Sequence, residues 1–151
     1  MAGVDYKREL KDLIDVVVSE NGSDIHFSVG SHPVVRVTGS LIQLVKKPIL
    51  TDQDIEGFAK VLMSKKRFEE FTERFEVDFA YAHADGIRFR GNAYYQSGSM
   101  SIALRLIPNQ IRTMEELGLP PILESFAQRT QGFFLCVGPV GQGKSTTLAA
   151  V

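Results

Sequence analysis

Three features predict an α+β domain followed by a connector and the first strand, glycine loop and helix of a parallel α/β domain. Residues 1–107 alternate helical amphipathic stretches with short β-patterned runs cut by tight turns. Pro108, Pro120 and Pro121 then break that pattern. Beyond them, the apolar run Phe133 to Val137 enters a glycine-rich loop and a short helical tail ending at Val151.

The elements follow in order. Leu10, Leu13, Ile14, Val17 and Val18 recur at helical spacing and Asn21-Gly22 supplies a stop, so a helix is expected from about Asp5 to Glu20. Asp24 to Val29, Pro33 to Thr38 and Leu41 to Val45 read as strands, separated by Gly30-Ser31-His32 and Gly39-Ser40. Thr51 with Asp54 resembles a capping box ahead of the stripe Ile55, Phe58, Ala59, Leu62 and Met63, which predicts a second helix. Ser64 caps a short third one through Phe68 and Phe71. Val77, Phe79 and Tyr81 alternate with small or polar residues. Asp85-Gly86 marks a hairpin turn, and strands are expected over Ile87 to Gln96 and Met100 to Ile107. The connector, residues 108–132, carries short helices, one of them starting at Thr113-Met114-Glu115-Glu116. Phe133 to Val137 reads as a buried strand, and residues 133–151 as the start of a second domain.

Composition narrows the function. The 151 residues carry 17 basic and 18 acidic side chains and 44% hydrophobic residues, enough for a core and with no global field to recruit nucleic acid or anionic membrane. No apolar run approaches a membrane span, and the polar start lacks a signal-peptide core, so a cytoplasmic location without membrane insertion is expected. The single cysteine, Cys136, reads as a small buried hydrophobe. His26, His32 and His83 lack metal-ligand spacing, and Lys65-Lys66-Arg67 reads as a solvated helix face.

The chemistry concentrates at Gly138-Pro139-Val140-Gly141-Gln142-Gly143-Lys144-Ser145, which satisfies G-x-x-x-x-G-K-[ST]. Glycines let the backbone wrap a phosphate, and amides from Gly141 to Ser145 then point inward at a helix start, where unpaired N–H groups favour an anion. Lys144 is placed to hold the outer phosphates. Ser145 would offer its hydroxyl to Mg²⁺, and Thr146 lies within reach of an inner phosphate. A glycine-rich turn without a ligand is the plainer alternative.

Several separated segments together resemble the type IV pilus ATPases, in particular their retraction (PilT/PilU) group. They are Gly22 to Ser28 with Pro33 to Gly39, Arg88 to Gln96, Leu104 to Pro108, Thr113 to Pro120, and the P-loop. The resemblance implies a PAS-like N-terminal domain over 1–107, joined by the connector to a RecA-like ATPase domain of which 133–151 is the beginning. It implies ATP and Mg²⁺ as ligands, hexamers, contacts with platform proteins of the inner membrane, and work at the inner face of that membrane. It also implies that Gly141, Gln142, Gly143, Lys144, Ser145 and Thr146 bind phosphates and magnesium, and that Arg90 reaches the nucleotide from the N-terminal domain. Arg88, Arg90 and Asn92 share one strand face under period-two alternation, which suits that role, although a solvated face of surface arginines gives the same pattern. Arg105 reads as structural or as a subunit contact. Val140 and Gln142 depart from the family's usual residues at positions that act through backbone, and Gly91 stands where the family has a bulkier residue and is expected to loosen its strand. The acidic and histidine elements that complete the family's site have no counterpart in these residues. The chain is therefore expected to be a fragment of a longer gene product, with no catalytic residue of its own and no measurable hydrolysis of ATP. Two other readings stay open: a non-catalytic oligomerisation or interaction module, and an extension or type II secretion ATPase of the same superfamily.

Overall fold

The computed structural model describes residues 5–108 and 111–151, so the first residues of the chain and two positions of the connector lie outside it. The chain divides into two units, one reaching Ile107 and the other starting at Pro108.

Helix α1 spans Tyr6–Ser19, with the Asp5 carboxylate accepting from the Arg8 amide at 3.2 Å. Leu10, Leu13, Ile14 and Val17 form its buried stripe. Strands β1 (Asp24–Ser28), β2 (Val34–Val37) and β3 (Ser40–Gln43) follow, the last two joined through Thr38 and Gly39, both at positive φ. Helix α2 (Asp52–Leu62) opens with the expected reciprocal box, the Thr51 side chain taking the Asp54 amide while the Asp54 carboxylate takes the Thr51 amide. Helix α3 (Lys65–Arg74) is capped by Ser64, and its Lys65, Arg67 and Arg74 pair with Glu69 and Glu70 on a solvated face. Strands β4 (Glu76–Ala82), β5 (Arg88–Gln96) and β6 (Ser99–Ile107) complete the unit, with a short 3₁₀ turn over Ala84–Gly86 between the first two.

The six strands form one sheet in the order β3-β2-β1-β6-β5-β4, and every paired neighbour is antiparallel. Register sets two faces. Val35, Ile25, Leu104, Gly91 and Phe79 form one cross-strand row, and Phe27, Ile102, Ala93 and Val77 the next. Apart from Gly91, these residues join the buried core with Leu10, Leu13, Phe58, Leu62 and Phe71 of the helices. The other parity carries the charged side chains that form the polar face.

Gly91 corrects one expectation. A Cβ there would overlap the ring of Phe79, its direct partner on β4. The ring lies over the bare backbone, so the missing side chain makes room for packing and does not loosen the strand.

In the second unit, Thr113 and Glu116 make reciprocal amide bonds at 2.9 and 3.2 Å, yet only a turn follows, ended by Gly118 at φ +62°. The helix expected there is absent. Helix α4 spans Ile122–Ala127 and α5 Lys144–Ala150. Phe133 to Val137 is not a strand and is not buried, with Phe133 90% and Val137 79% exposed. A parallel strand needs hydrogen-bonding neighbours and cover on both faces, and the described residues of this unit offer neither. Cys136 is accordingly only half-buried, its thiol 4.0 Å from the Lys144 carbonyl. No helix among the described residues is long and apolar enough to cross a membrane.

Candidate functional site

Two groups of residues carry the chemistry, one in each unit. In the second unit, Val140 to Thr146 line a concave surface at the start of α5. Gly141 and Gly143 take φ +81° and +57°, conformations that side chains disfavour, and Gly143 is the N-cap of α5. A glycine cap has no side-chain oxygen to offer, so the first-turn amides of α5 stay uncapped. The hydroxyls of Ser145 and Thr146 make no hydrogen bond among the described residues. Lys144 folds back on its own loop, its Nζ donating to the carbonyls of Gly138 at 2.7 Å and Pro139 at 2.6 Å. The curled backbone, uncapped amides and tethered ammonium fit an oxyanion, and the hydroxyl chemistry of Ser145 fits a hard cation such as Mg²⁺.

In the first unit the charges stand on the open face of the sheet. Arg36, Asp24, Arg105 and Arg90 sit directly opposite one another across β2, β1, β6 and β5. One row along, His26, Ala103, Asn92 and Asp78 do the same. Asp24 is only 6% exposed and is the hub: it accepts from Arg105 Nε at 2.8 Å and Ser23 Oγ at 2.7 Å, with Arg36 Nε at 3.4 Å. Arg90 Nη2 donates to Asp78 at 3.2 Å, and Asn92 to the same carboxylate at 3.2 Å. Bonds from Arg90 and then Asn92 hold the Asp78 carboxyl below its ordinary range. Arg88, Arg90 and Asn92 thus share the polar face as the alternation predicts, and Arg105 is tied into the domain by Asp24. The partnerships of Asp24 and Asp78 were not anticipated, although the parity of β4 places Asp78 opposite Asn92. No group of His, Cys, Asp and Glu among the described residues could hold a metal ion.

Protonation of this face has a defined sign. Burial alone would raise the Asp24 carboxyl, but the bonds from Arg105 and Ser23 and the charges of Arg105 and Arg36 outweigh it and lower it. Burial lowers His26, against the Asp24 charge and with those of Arg36 and Arg105. Both groups bind protons more readily unfolded than folded, so stability falls as pH falls, first below the ordinary histidine value of 6.5 and again through the folded pKa of Asp24 below 3.8. Glu9, raised chiefly by burial, acts in the opposite sense. His26→Gln should flatten the first decline in a urea-midpoint series from pH 7 to 5 and leave the acid limb in place. An unchanged slope between those pH values would refute the assignment to His26.

A six-stranded antiparallel sheet domain followed by a G-x-x-x-x-G-K-[ST] segment points to a part of the secretion and pilus motor ATPase superfamily, and the comparisons support that superfamily. No protein-family model matches the chain. It is 38% identical over 144 residues to the type IV pilus ATPase PilU of Pseudomonas aeruginosa, covering 95% of this chain and 37% of that protein. It is 33% identical over 143 residues to the type IV pilus retraction ATPase PilT of the same organism, covering 95% and 41%. The crystal structure of the pilus retraction motor PilT with bound ADP superposes with a TM-score of 0.80 at 36% identity, over 92% of this chain and 40% of that one. The chain belongs to the family of these type IV pilus ATPases and spans about two fifths of the length of the relatives it matches. Its six-stranded antiparallel sheet with helices matches their N-terminal domain.

Proposed function

We propose that this chain is the ATP-binding part of a type IV pilus retraction motor that works at the cytoplasmic face of the membrane. The observation that carries the reading is similarity to PilT and PilU across nearly the whole chain, to a motor whose crystal structure holds ADP. The amides of Gly141 to Ser145 bind the phosphates. Lys144 exchanges its two carbonyl partners for phosphate oxygens, a charge-assisted bond in place of two neutral ones. Ser145 holds Mg²⁺, Thr146 an inner phosphate, and Gln142 contributes backbone. Magnesium, when bound, neutralises phosphate charge. Arg90 supplies a guanidinium to the nucleotide from the sheet domain, and rings of subunits convert hydrolysis into pilus disassembly.

The 151 residues alone supply phosphate binding without a group to activate water, so on this reading they bind ATP without hydrolysing it. Calorimetric titration with Mg·ATP should give saturable binding that Lys144→Ala reduces by about tenfold or more, the order of a lost charged contact.

One observation favours a second reading, a non-catalytic interaction module. Every buried residue lies in the first unit, and no described residue of the second is buried. Equal, undetectable binding by wild type and Lys144→Ala would select that module. The same superfamily's extension and type II secretion ATPases remain the alternative assignment of direction.

A further inference from the structure

The sheet ends differently at its two edges. β4 carries Glu76 and Asp78, charges of the kind that guard a free edge against another copy of itself. β3, at the other edge, is unguarded: no residue from Val37 to Val45 is charged, and none is proline. All of β3 is exposed, Leu41 to 58% and Ile42 to 48%. Arg36, the charged residue of β2, is turned to Asp24 and to the Gly39 carbonyl. The β2–β3 hairpin closes through the two-residue turn Thr38-Gly39, so Val37 and Ser40 form its first hydrogen-bonded pair and Val35 and Ile42 the next. The Leu44 amide, donating to the Pro33 carbonyl at 2.8 Å, continues that alternation. The amides and carbonyls of Leu41 and Gln43 therefore point away from β2, to the side where the sheet has no further strand. Ile42 carries the core-facing row of Val35, Ile25 and Leu104 out to this open side.

We infer that β3 pairs with β3 of a second copy of this chain, antiparallel and centred on Ile42, so that the two sheets become one continuous sheet. In that register Leu41 of each copy meets Gln43 of the other, and each such pair exchanges two hydrogen bonds between backbone groups that β2 leaves free. Centring on Leu41 or on Gln43 instead sets one outward residue against Gly39 or Val45, outside the strand. Ile42 faces its own counterpart as a non-hydrogen-bonded pair, the closer of the two spacings, and both side chains lie on the core-facing side. No like charges meet along the seam, because the paired residues run from Ser40 to Leu44. A two-fold contact uses the same edge on both chains and closes at two copies, so it is distinct from the contacts that build a ring.

The contact is one short strand per chain, so the association expected is weak, with a dissociation constant on the order of 100 µM. The test uses the 151-residue chain from about 10 µM to about 1 mM, a range that brackets this value, read by sedimentation equilibrium and by amide hydrogen exchange. Wild type should dimerise across that range. As it does, exchange at the Leu41 and Gln43 amides should slow severalfold, while Ser40 and Ile42, whose amides face β2, change little. Ile42→Lys and Ile42→Glu each set like charges face to face at the centre of the seam, and each alone should lose about tenfold or more in affinity. An equal mixture of the two variants should dimerise again, because opposite charges then meet there. Far-UV circular dichroism establishes that each variant is folded, and the wild-type exchange pattern tests the pairing without any variant. A wild type that stays monomeric throughout, or that associates without protecting Leu41 and Gln43, overturns the proposal. So does association that Ile42→Lys leaves unchanged, which would place the contact elsewhere on the chain.

Discussion

Replacing Phe58 by alanine should destabilise the sheet domain by about 3–5 kcal/mol, the cost of emptying a large aromatic site in a packed core. Phe58 is 0% exposed and joins three elements: its ring meets Tyr6 of α1 edge-on at 5.9 Å and Phe27 of β1 at 5.1 Å. The aromatic contacts add roughly 0.5–1.5 kcal/mol each beyond simple burial. Domains of this size are stable by about 5–15 kcal/mol, so the loss is a large share of the total. Thermal unfolding followed by circular dichroism should show a midpoint lowered by well over 10 °C, on the order of several degrees per kcal/mol. Leu41→Ala, at a position 58% exposed on an edge strand, should fall within about 0.5 kcal/mol of wild type. If the two variants melt together, this core assignment is wrong.

Gly57→Ala should also destabilise, and here the sign is the test. In the interior of a helix the exchange ordinarily gains about 1 kcal/mol. At Gly57 the new methyl would overlap the Tyr6 ring along Cγ, Cδ2 and Cε2. Because Cγ is the ring's point of attachment, rotation about χ2 does not clear the overlap, and either the whole Tyr6 side chain leaves its packed position through χ1 or α1 moves away from α2. Overpacking of this kind costs roughly 1–3 kcal/mol and outweighs the propensity gain. With Tyr6→Ala in the background the obstacle is gone, so Gly57→Ala should then stabilise. A double-mutant cycle by urea unfolding measures that reversal. Stabilisation by Gly57→Ala in the wild-type background would show that α1 and α2 do not approach as closely as described.

Much of the sheet domain was legible because its signals are local. The Thr51–Asp54 box, the Ser64 cap and the turn at Gly39 each act over a few residues, and the structure has all three where they were expected. The same kind of signal failed at Thr113. Its box formed but no helix followed, because a cap without a packed apolar face does not carry a helix. Phe133 to Val137 failed for a related reason, since apolar runs encode a wish for burial and not the neighbours that supply it. The geometry of the polar face was illegible. Arg105 is 81 residues from Asp24, and only a sheet that sets β6 beside β1 makes them partners.

Periodicity, caps and turn residues by themselves determined which segments of the sheet domain become helices and strands, and the spacing of glycines, lysine and serine determined where a phosphate loop could form. Tertiary structure alone decided the strand order, the burial of Asp24 between two arginines, and the use of Gly91 as a seat for Phe79. The division has a physical cause. Local propensities are energies between residues a few positions apart, whereas pairing across a sheet is settled only when distant strands share one core.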